Sequence, residues 1–470
     1  MHQITKYAEL LHPPGNVVMI KAFISSMIIL ILFLSCSDNP TGLSADIYRN
    51  EITFVKEQIQ VTRGLNFTRP VTVSTMTREQ WSDYNNRWYS NSSSRAITLQ
   101  LKQLGFVPDT MKDLEGAAAS FQDEVVGAFY LPGTDSVVII GSISDPVALI
   151  YYLGHEFVHA LQEQHFNAFS NYVMPSTLQS VINSDFFLAQ QCVTEGDAEY
   201  SANLMLIRLA YEDQSADDTL SYYLKETRSS YFNHLPDLGA LRYLEFRSYA
   251  PYTLGPYFIM NKMADGGWSE VNRLFHSDRV NSSREIITGT DHEPVVFNFD
   301  QITPILLQDV SSLELADDDN YGAVMLIALL GDYLDTENCY RALGLAGDRI
   351  IYVLDRDREL GSFVWAMAFD SEEDAGYTFG KLDLLLTNRI INGKSSKRKE
   401  TAEALVFNCG SSEAHLFLKG TNVFWIENVD SLDSVINLLS NQALSKRAFP
   451  GKNASTYPRY HKWRILDRLF

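Results

Sequence analysis

Apolar residues recur at helical spacing between residues 147 and 161 of this chain. Asp145 followed by Pro146 is a typical helix start, because Asp caps the first turn and Pro fits the first helical position. Gly154, inside the run, leaves space for a second backbone to approach. The pattern predicts a capped helix with one side packed on a core. That side holds Val147, Ile150, Leu153, Phe157 and Leu161.

The opposite side of this helix carries two histidines with a glutamate next to the first. Residues 155–159 read H-E-F-V-H. Imidazoles four positions apart lie roughly 40° from each other around the axis, so His155 and His159 can reach one ion. Neutral histidine nitrogens are typical zinc ligands. Glu156 can take a proton from an attacking water, so we expect Zn2+ as cofactor and Glu156 as general base.

A catalytic zinc takes three protein ligands and keeps one position for water, so a third ligand is needed. Glu195 lies on a second predicted helix, 178–211, which can pack against the first and direct a carboxylate at the metal. His165 has the ligand spacing of metzincins, but Gln162 stands where that motif needs Gly. If the first helix continues past Gln162, His165 faces away from His159. Glu195 is therefore the preferred ligand, and His165 is the alternative.

Four further residues are candidates for supporting roles. Asp197 and Glu199, close to Glu195 in sequence, can orient a ligand histidine through its second ring nitrogen. Hydrolysis also needs a donor for the oxyanion. Tyr252 is the first candidate for this donor, and Tyr257 is the next.

The hydrophobic pattern elsewhere predicts a mixed fold. Residues 125–130 and 136–141 read as a hairpin upstream of the metal helix. We expect it either to line the cleft and pair with an extended substrate or to be an ordinary hairpin of a sheet. A turn at 62–65 and a short strand at 69–73 precede it, and the polar run 212–218 predicts a loop.

The chain has 470 residues and is 46% hydrophobic, which is enough for two domains. The pattern changes after Asp300. We predict an α+β protein with a metallopeptidase domain at 45–310 and a smaller α+β domain at 320–470. The second domain is predicted to contain helices at 324–334 and 371–386, and strands at 348–354, 363–369, 404–408, 414–418 and 423–426.

Residues 1–35 read as a bacterial lipoprotein signal. Lys21 precedes a short apolar run, 22–34, and Cys36 follows a small residue. The run is too short for a typical transmembrane helix. Met19 is a candidate for the true start. We expect a lipid anchor at Cys36 and a location at a bacterial membrane in the cell envelope, with an uncleaved anchor or a plain secretory signal as the alternative.

Charge and cysteine content narrow the list of partners. The net charge of −20 repels phosphate backbones, so nucleic acid is not an expected partner. Only three cysteines follow Cys36, and they form neither a disulfide framework nor a metal motif. Whether Cys339 and Cys409 pair is left open.

Two motifs of this chain resemble those of a group of poorly characterised bacterial secreted or lipoprotein zincins. They are residues 155–166, H-E-F-V-H-A-L-Q-E-Q-H-F, and residues 195–198, E-G-D-A. The resemblance covers most of residues 60–290. Weaker matches lie at 63–65, 126–127, 251–255 and 266–268, and more loosely at 347–349 and 371–375.

The resemblance implies a zincin-like metallopeptidase domain. The E-G-x-A segment is similar to that of some gluzincins, in which the Glu binds zinc, and this implies Glu195 as third ligand. Residues 130–132, Y-L-P, depart from the Asp-Pro expected after the strand. The expected function is zinc-dependent hydrolysis of peptide bonds in peptide or protein substrates. The alternative is a catalytically inactive zincin-like lipoprotein that binds a partner, but the intact Glu156 favours the enzyme.

Overall fold

The computed structural model shows a mixed α+β protein. It describes residues 45–89, 94–169, 183–211, 213–235, 242–276, 278–307, 312–334, 339–357, 360–391, 398–401, 404–409, 412–442 and 444–446. The predicted signal at 1–35 and the predicted anchor at Cys36 lie outside these residues. Within the described ranges, no helix is long and apolar enough to cross a membrane.

The first two thirds of the chain is mainly helical. A 3-10 turn, Ala45–Tyr48, opens the described part. The helices that follow are α1 (Arg49–Arg63), α2 (Arg78–Tyr89), α3 (Ser94–Leu104), α4 (Leu114–Val125), α5 (Pro146–Phe166), α6 (Ser184–Ala210), α7 (Asp213–Asn233), α8 (Arg242–Gly266), α9 (Trp268–Arg273) and α10 (Ser283–Thr288).

Helix α5 forms as its sequence predicts. The Asp145 carboxylate accepts a hydrogen bond from the Val147 backbone N–H at 2.9 Å, and Pro146 is the first helical residue. The helix ends at Phe166, where Asn167 adopts a left-handed φ of 49° and donates its N–H to Glu163 O. The five residues of the predicted apolar side are all buried.

A three-stranded sheet lies beside α5. Its strands are β1 (Thr72–Met76), β2 (Ala128–Leu131) and β3 (Ser136–Ile140), in the order β1-β3-β2. β2 and β3 form the predicted antiparallel hairpin, and β2 is at the edge of the sheet. The first strand of the hairpin was predicted to begin at residue 125, which is too early, because Val125 is the last residue of α4.

Helix α6, Ser184–Ala210, lies within the helix predicted at 178–211. Residues 178–182 of the predicted range lie outside the described residues. The Asn183 side chain caps α6 by accepting from the Phe186 N–H at 2.8 Å. The loop predicted at 212–218 is wrong, since α7 begins at Asp213. Acidic residues are favourable in a first helical turn, and Ala216 packs into the core, so a polar run forms helix here.

The last third of the chain forms a seven-stranded antiparallel sheet, in the order β5-β6-β7-β11-β10-β9-β8. The predicted strands of this region are all present. The strands are β5 (Leu313–Asp319), β6 (Leu345–Asp355), β7 (Leu360–Phe369), β8 (Arg398–Thr401), β9 (Ala404–Cys409), β10 (Ser412–Lys419) and β11 (Asn422–Glu427).

Helices cover both faces of this large sheet. Apolar residues of α14 (Glu372–Ile391) and α12 (Gly322–Leu330) pack on one face. Residues of α11 (Ile302–Leu307) and α15 (Leu432–Ser440) pack on the other. The remaining elements are short, namely β4 (Val295–Val296), α13 (Cys339–Ala342) and β12 (Ser445–Lys446), and β4 pairs with β12.

The helical part and the large sheet share one hydrophobic cluster. Leu254 of α8, Leu326 of α12 and Trp365 of β7 belong to it, and all are almost fully buried. Helix α6 also packs against α1, α5 and α8. Its long, buried surface therefore connects the predicted metal helix to the rest of the molecule.

Candidate metal centre

His155, His159 and Glu195 meet between α5 and α6. His155 Nε2 lies 3.1 Å from His159 Nε2 and 3.0 Å from Glu195 Oε2. His159 Nε2 lies 3.3 Å from the same carboxylate oxygen. The two histidines are buried, and the group is arranged so that it could hold a metal ion.

The spacing of these three atoms suits zinc better than a set of hydrogen bonds. Zinc binds nitrogen and oxygen ligands at roughly 2.0–2.2 Å with tetrahedral geometry, so its ligand atoms lie about 3.3 Å apart. In a triangle with sides of 3.0, 3.1 and 3.3 Å, one ring N–H can point at only one of its two neighbours. Two imidazoles and one carboxylate are also an ordinary zinc ligand set.

A close contact between α5 and α6 brings the ligands together. A Cβ placed on Gly154 would lie 2.7 Å from the Met205 side chain and 3.8 Å from Ala202 Cα. A methyl group there would require the flexible end of Met205 to move, and a side chain longer than that would meet the backbone of α6 beside the turn that carries His155. The predicted close approach at Gly154 is therefore present.

The alternative ligand, His165, does not join the group. The helix continues through Gln162, and His165 Nε2 lies 2.7 Å from Asn66 O instead. Among the described residues, the group that could hold a metal consists of His155, His159 and Glu195.

Glu199 faces the second ring nitrogen of His155. Its Oε2 lies 3.5 Å from His155 Nδ1, and both side chains are buried. The Tyr151 hydroxyl donates to this oxygen, and Asn203 Nδ2 donates to Oε1 at 2.7 Å. Glu199 is thus held in place from two sides, in the position predicted for a residue that orients a ligand histidine.

A different set of side chains faces His159. Gln162 Oε1 lies 3.0 Å from His159 Nδ1, and Gln162 Nε2 donates to Asp197 Oδ2 at 3.0 Å. Asp197 forms an ion pair with Arg63, Nε to Oδ1, at 2.7 Å. Asp197 therefore reaches the predicted ligand through Gln162. Sequence reasoning missed Gln162, and the only signal for it was a polar residue three positions after His159.

Glu156 lies next to the ligand group and on the wall of a cleft. It is 7% exposed, and its carboxylate accepts a hydrogen bond from the backbone N–H of Tyr130 on β2. Burial raises the pKa of Glu156 above its ordinary value, and His155 and His159 only partly oppose this. A carboxylate with a raised pKa binds a proton more readily at neutral pH, as a general base requires.

Electrostatic attraction holds the three candidate ligands together. Burial alone would lower the pKa of His155, but the nearby carboxylates of Glu195 and Glu199 outweigh it and raise that pKa. Burial alone would raise the pKa of Glu195, yet His159 and His155 outweigh it, and the pKa lies below its ordinary value. The ionised carboxylate and two imidazoles together suit a divalent cation.

Tyr252, the predicted oxyanion donor, stands beside this group. Its ring is roughly stacked on that of His155, with centroids 6.1 Å apart, and 43% of its surface is exposed. The pKa of Tyr252 is raised mainly by loss of hydration in the cleft. The nearby carboxylates of Glu195 and Glu156 raise it further. The hydroxyl therefore keeps its proton. Tyr257 lies elsewhere, with Arg228 4.8 Å above its ring.

The site opens into a cleft of about 440 Å³. Its walls come from α2, α4, β2, α5, α6 and α8. Ala128, Phe129 and Tyr130 of β2 line one side, and Tyr249 and Tyr252 of α8 line another. The predicted hairpin thus borders the same cleft as Glu156.

Comparison of the chain with protein-family models, with curated proteins and with solved structures found no match.

Proposed function

We propose that this protein is a zinc-dependent metallopeptidase that hydrolyses peptide bonds in the bacterial cell envelope. The observation that carries the proposal is the triangle of donor atoms from His155, His159 and Glu195, with the Glu156 carboxylate beside it in an open cleft. Residues 45–310 would form a zincin-like domain, in which α5 and α6 supply the ligands.

The residues present fit a zinc ion. His155 and His159 would bind through Nε2 and Glu195 through Oε2. Zinc held there would supply Lewis-acid polarisation of the scissile carbonyl and would lower the pKa of a water in the site.

Glu156 would act as the proton carrier. Its carboxylate takes a proton from the attacking water as the water oxygen bonds to the carbonyl carbon. It then delivers the proton to the leaving amine as the C–N bond breaks. The Tyr130 N–H fixes the orientation of the carboxylate, and burial keeps its proton affinity high.

Tyr252 would stabilise the negative charge that develops on the carbonyl oxygen. Its hydroxyl remains protonated, and its ring lies beside His155 on the wall of the cleft. A donor held in place before the reaction stabilises an oxyanion without further reorganisation.

The free edge of β2 suits an extended peptide substrate. The Ile140 N–H donates to Gly127 O, and this register directs the backbone groups of Ala128 and the Tyr130 C=O away from β3, toward the cleft, while the Tyr130 N–H is taken by Glu156. An extended chain can pair with such an edge through main-chain hydrogen bonds. This geometry supports a polypeptide as substrate, and a lipid on Cys36 would keep the enzyme at a membrane surface.

Metal loading and turnover of a mixed peptide library test this function. We expect about one zinc per chain, loss of cleavage on removal of zinc with a chelator, and recovery when zinc is added back. A chain that binds zinc but cleaves no peptide under these conditions would instead be a zincin-like binding protein.

A further inference from the structure

Aromatic side chains form much of the lining of the cleft beside Glu156. Its lining includes aromatic side chains that are only partly buried and so present part of their rings to the cleft. They are Phe121, Phe129, Tyr151, Tyr152, Tyr249 and Tyr252. A concave site lined in this way is typical of a pocket that binds an apolar group.

Packing behind the cleft makes this aromatic wall rigid. Phe129 stacks on Tyr84 with ring centroids 6.0 Å apart and lies 5.1 Å from Trp81. Phe121 and Tyr249 meet edge to face at 5.7 Å. The wall is therefore preformed and needs no ordering when a ligand binds.

Apart from His155 and His159, which would bind the metal, the charged side chains that line the cleft are carboxylates. Glu156, Glu195 and Glu199 line it, and no Lys or Arg does so among the residues that the structure describes. An acidic substrate side chain would lose hydration and meet no Lys or Arg of the described lining. A large apolar side chain would remove aromatic surface from water on both molecules.

From this wall and its charges we infer that the enzyme prefers substrates with a large apolar residue, aromatic above all, next to the scissile bond. The inference rests on the proposed function. Phe121 of α4 and Phe129 of β2 would determine the preference, because they come from different walls of the cleft and have no place in the proton transfer.

A set of matched peptides tests the preference. The peptides share one scaffold and carry Ala, Phe, Asp or Lys next to the scissile bond. We expect kcat/KM for Phe to exceed that for Ala by at least about tenfold, and Asp to be the poorest substrate. Phe121→Ala and Phe129→Ala should reduce the Phe-to-Ala ratio several-fold. Tyr222→Ala, on the exposed surface of α7, should leave it unchanged.

Two outcomes overturn this inference and leave the proposed function intact. One is cleavage with equal rates for Phe and Ala, and the other is a preference for Lys, which would show that the carboxylates dominate. If no peptide is cleaved, the affinity of Glu156→Gln for the same peptides tests the inference. Intrinsic tyrosine or tryptophan fluorescence measures this affinity. Tighter binding of the Phe peptide supports the inference even then, and equal binding overturns it.

A second observation, independent of the cleft, concerns the side of His159 that faces the protein. Arg63, Gln162 and Asp197 are 0% exposed there. Gln162 Nε2 donates to Thr194 O at 2.9 Å and to Asp197 Oδ2 at 3.0 Å. Both partners are acceptors only, so the amide nitrogen of Gln162 must point toward them and its oxygen toward His159.

The orientation of Gln162 determines the tautomer of His159. An amide oxygen accepts and does not donate, so His159 must carry its proton on Nδ1. When the ring is neutral, as a metal ligand must be, Nε2 presents its lone pair to the space between His155 and Glu195, where the metal would lie. The ion pair between Asp197 and Arg63, with Trp268 4.3 Å from the guanidinium, fixes the acceptor that holds Gln162.

The geometry assigns Gln162 the role of a positioning residue for His159. The neutral amide of Gln162 faces Nδ1 of His159, as the carboxylate of Glu199 faces Nδ1 of His155. Gln162→Met keeps the length of the side chain but removes the acceptor. We expect it to weaken zinc binding about 10–100-fold, measured by competition with a chromophoric chelator.

Gln164 provides a matched control on the same helix. It binds the backbone of Arg69 and the carboxylate of Asp135, away from the candidate ligands. Gln164→Met should change stability and leave zinc affinity unchanged. Gln162→Glu keeps an acceptor at His159, so it should retain zinc affinity within a few-fold although its charge repels Asp197. Equal zinc affinity of Gln162→Met and wild type overturns the assignment, as does an NMR spectrum, recorded at a pH where the His159 ring is neutral, that places its single ring proton on Nε2.

Discussion

Gly196 of α6 and Gly255 of α8 face each other where the two helices cross. A Cβ on Gly196 would lie 2.4 Å from the backbone carbon of Gly255, and one on Gly255 would lie 2.3 Å from Cys192 O. No side chain fits in this gap. Because Glu195 precedes Gly196 and Tyr252 lies on α8, the contact sets the distance between the third candidate ligand and the wall of the cleft.

Gly196→Ala should destabilise the protein by about 1–3 kcal/mol or more, because the methyl group would collide with rigid backbone. It should also weaken zinc binding by displacing Glu195. Chemical denaturation of the apo and zinc-loaded protein measures both effects. Gly376→Ala is the matched control, since a Cβ there meets nothing within 4 Å in helix α14 and should stabilise by about 0.5–1 kcal/mol. Equal effects of the two substitutions would contradict the helix-crossing account.

Glu195→Ala should lower zinc affinity by at least about 100-fold, since one of three protein ligands is lost. His165→Ala should leave zinc affinity unchanged, because its ring contacts Asn66 O outside the group. Metal analysis after dialysis against a weak chelator compares the two. Zinc kept by the first variant and lost from the second would overturn the ligand assignment.

Stability should fall as pH rises from about 4 to about 7. Asp185, at the start of α6, is 7% exposed, and burial raises its pKa from 3.8 to about 7. Between these values the folded state binds more protons than the unfolded state, so the free energy of unfolding decreases with pH. Burial raises the pKa of Asp319 and Asp348 as well, with the same sign.

Asp185→Asn should flatten this dependence. The amide oxygen can still accept from the Ser283 N–H, and the ionisation is gone. We expect the difference in unfolding free energy between pH 5 and pH 8 to shrink by an amount on the order of 1 to a few kcal/mol. Urea denaturation at the two pH values measures it. The same pH dependence in variant and wild type would exclude Asp185 as its source.

A lipid on Cys36 is the prediction for the N-terminal segment. Cys36→Ala should release the protein from membranes or leave the signal uncleaved, and expression from Met19 should give the same mature chain. Intact-mass analysis of membrane-extracted protein checks this. A mature chain that begins elsewhere, without acyl mass, would indicate a soluble secreted enzyme.

The helix that carries the two histidines could be predicted from sequence because its determinants are local. The cap at Asp145, the period of the apolar residues and the i, i+4 spacing of the histidines all lie within one segment. Five of the seven strands of the large sheet were also predicted, because buried strands give continuous apolar runs such as 350–354. The sequences of β5 and β8 are mostly polar, and these two strands were not predicted.

Other parts depend on contacts between distant segments, which sequence patterns do not show. Helix α8 contains Pro251 and Pro256, which argue against a helix locally, yet its packing on α6 stabilises it. The role of Gln162 depends on Asp197, 35 positions away, and on Arg63 beyond it. The acidic start of α7 was predicted as a loop because its polarity hid the buried side of the helix.

The most direct test of the proposed function compares wild type with Glu156→Gln in hydrolysis of the mixed peptide library, at equal zinc content. The amide keeps the size of the side chain but cannot take the proton of the attacking water. We predict that the variant keeps its fold and its zinc and that kcat falls by at least about 100-fold. Undiminished hydrolysis by zinc-loaded Glu156→Gln would contradict the account, because the proton would then leave by a route that does not involve Glu156.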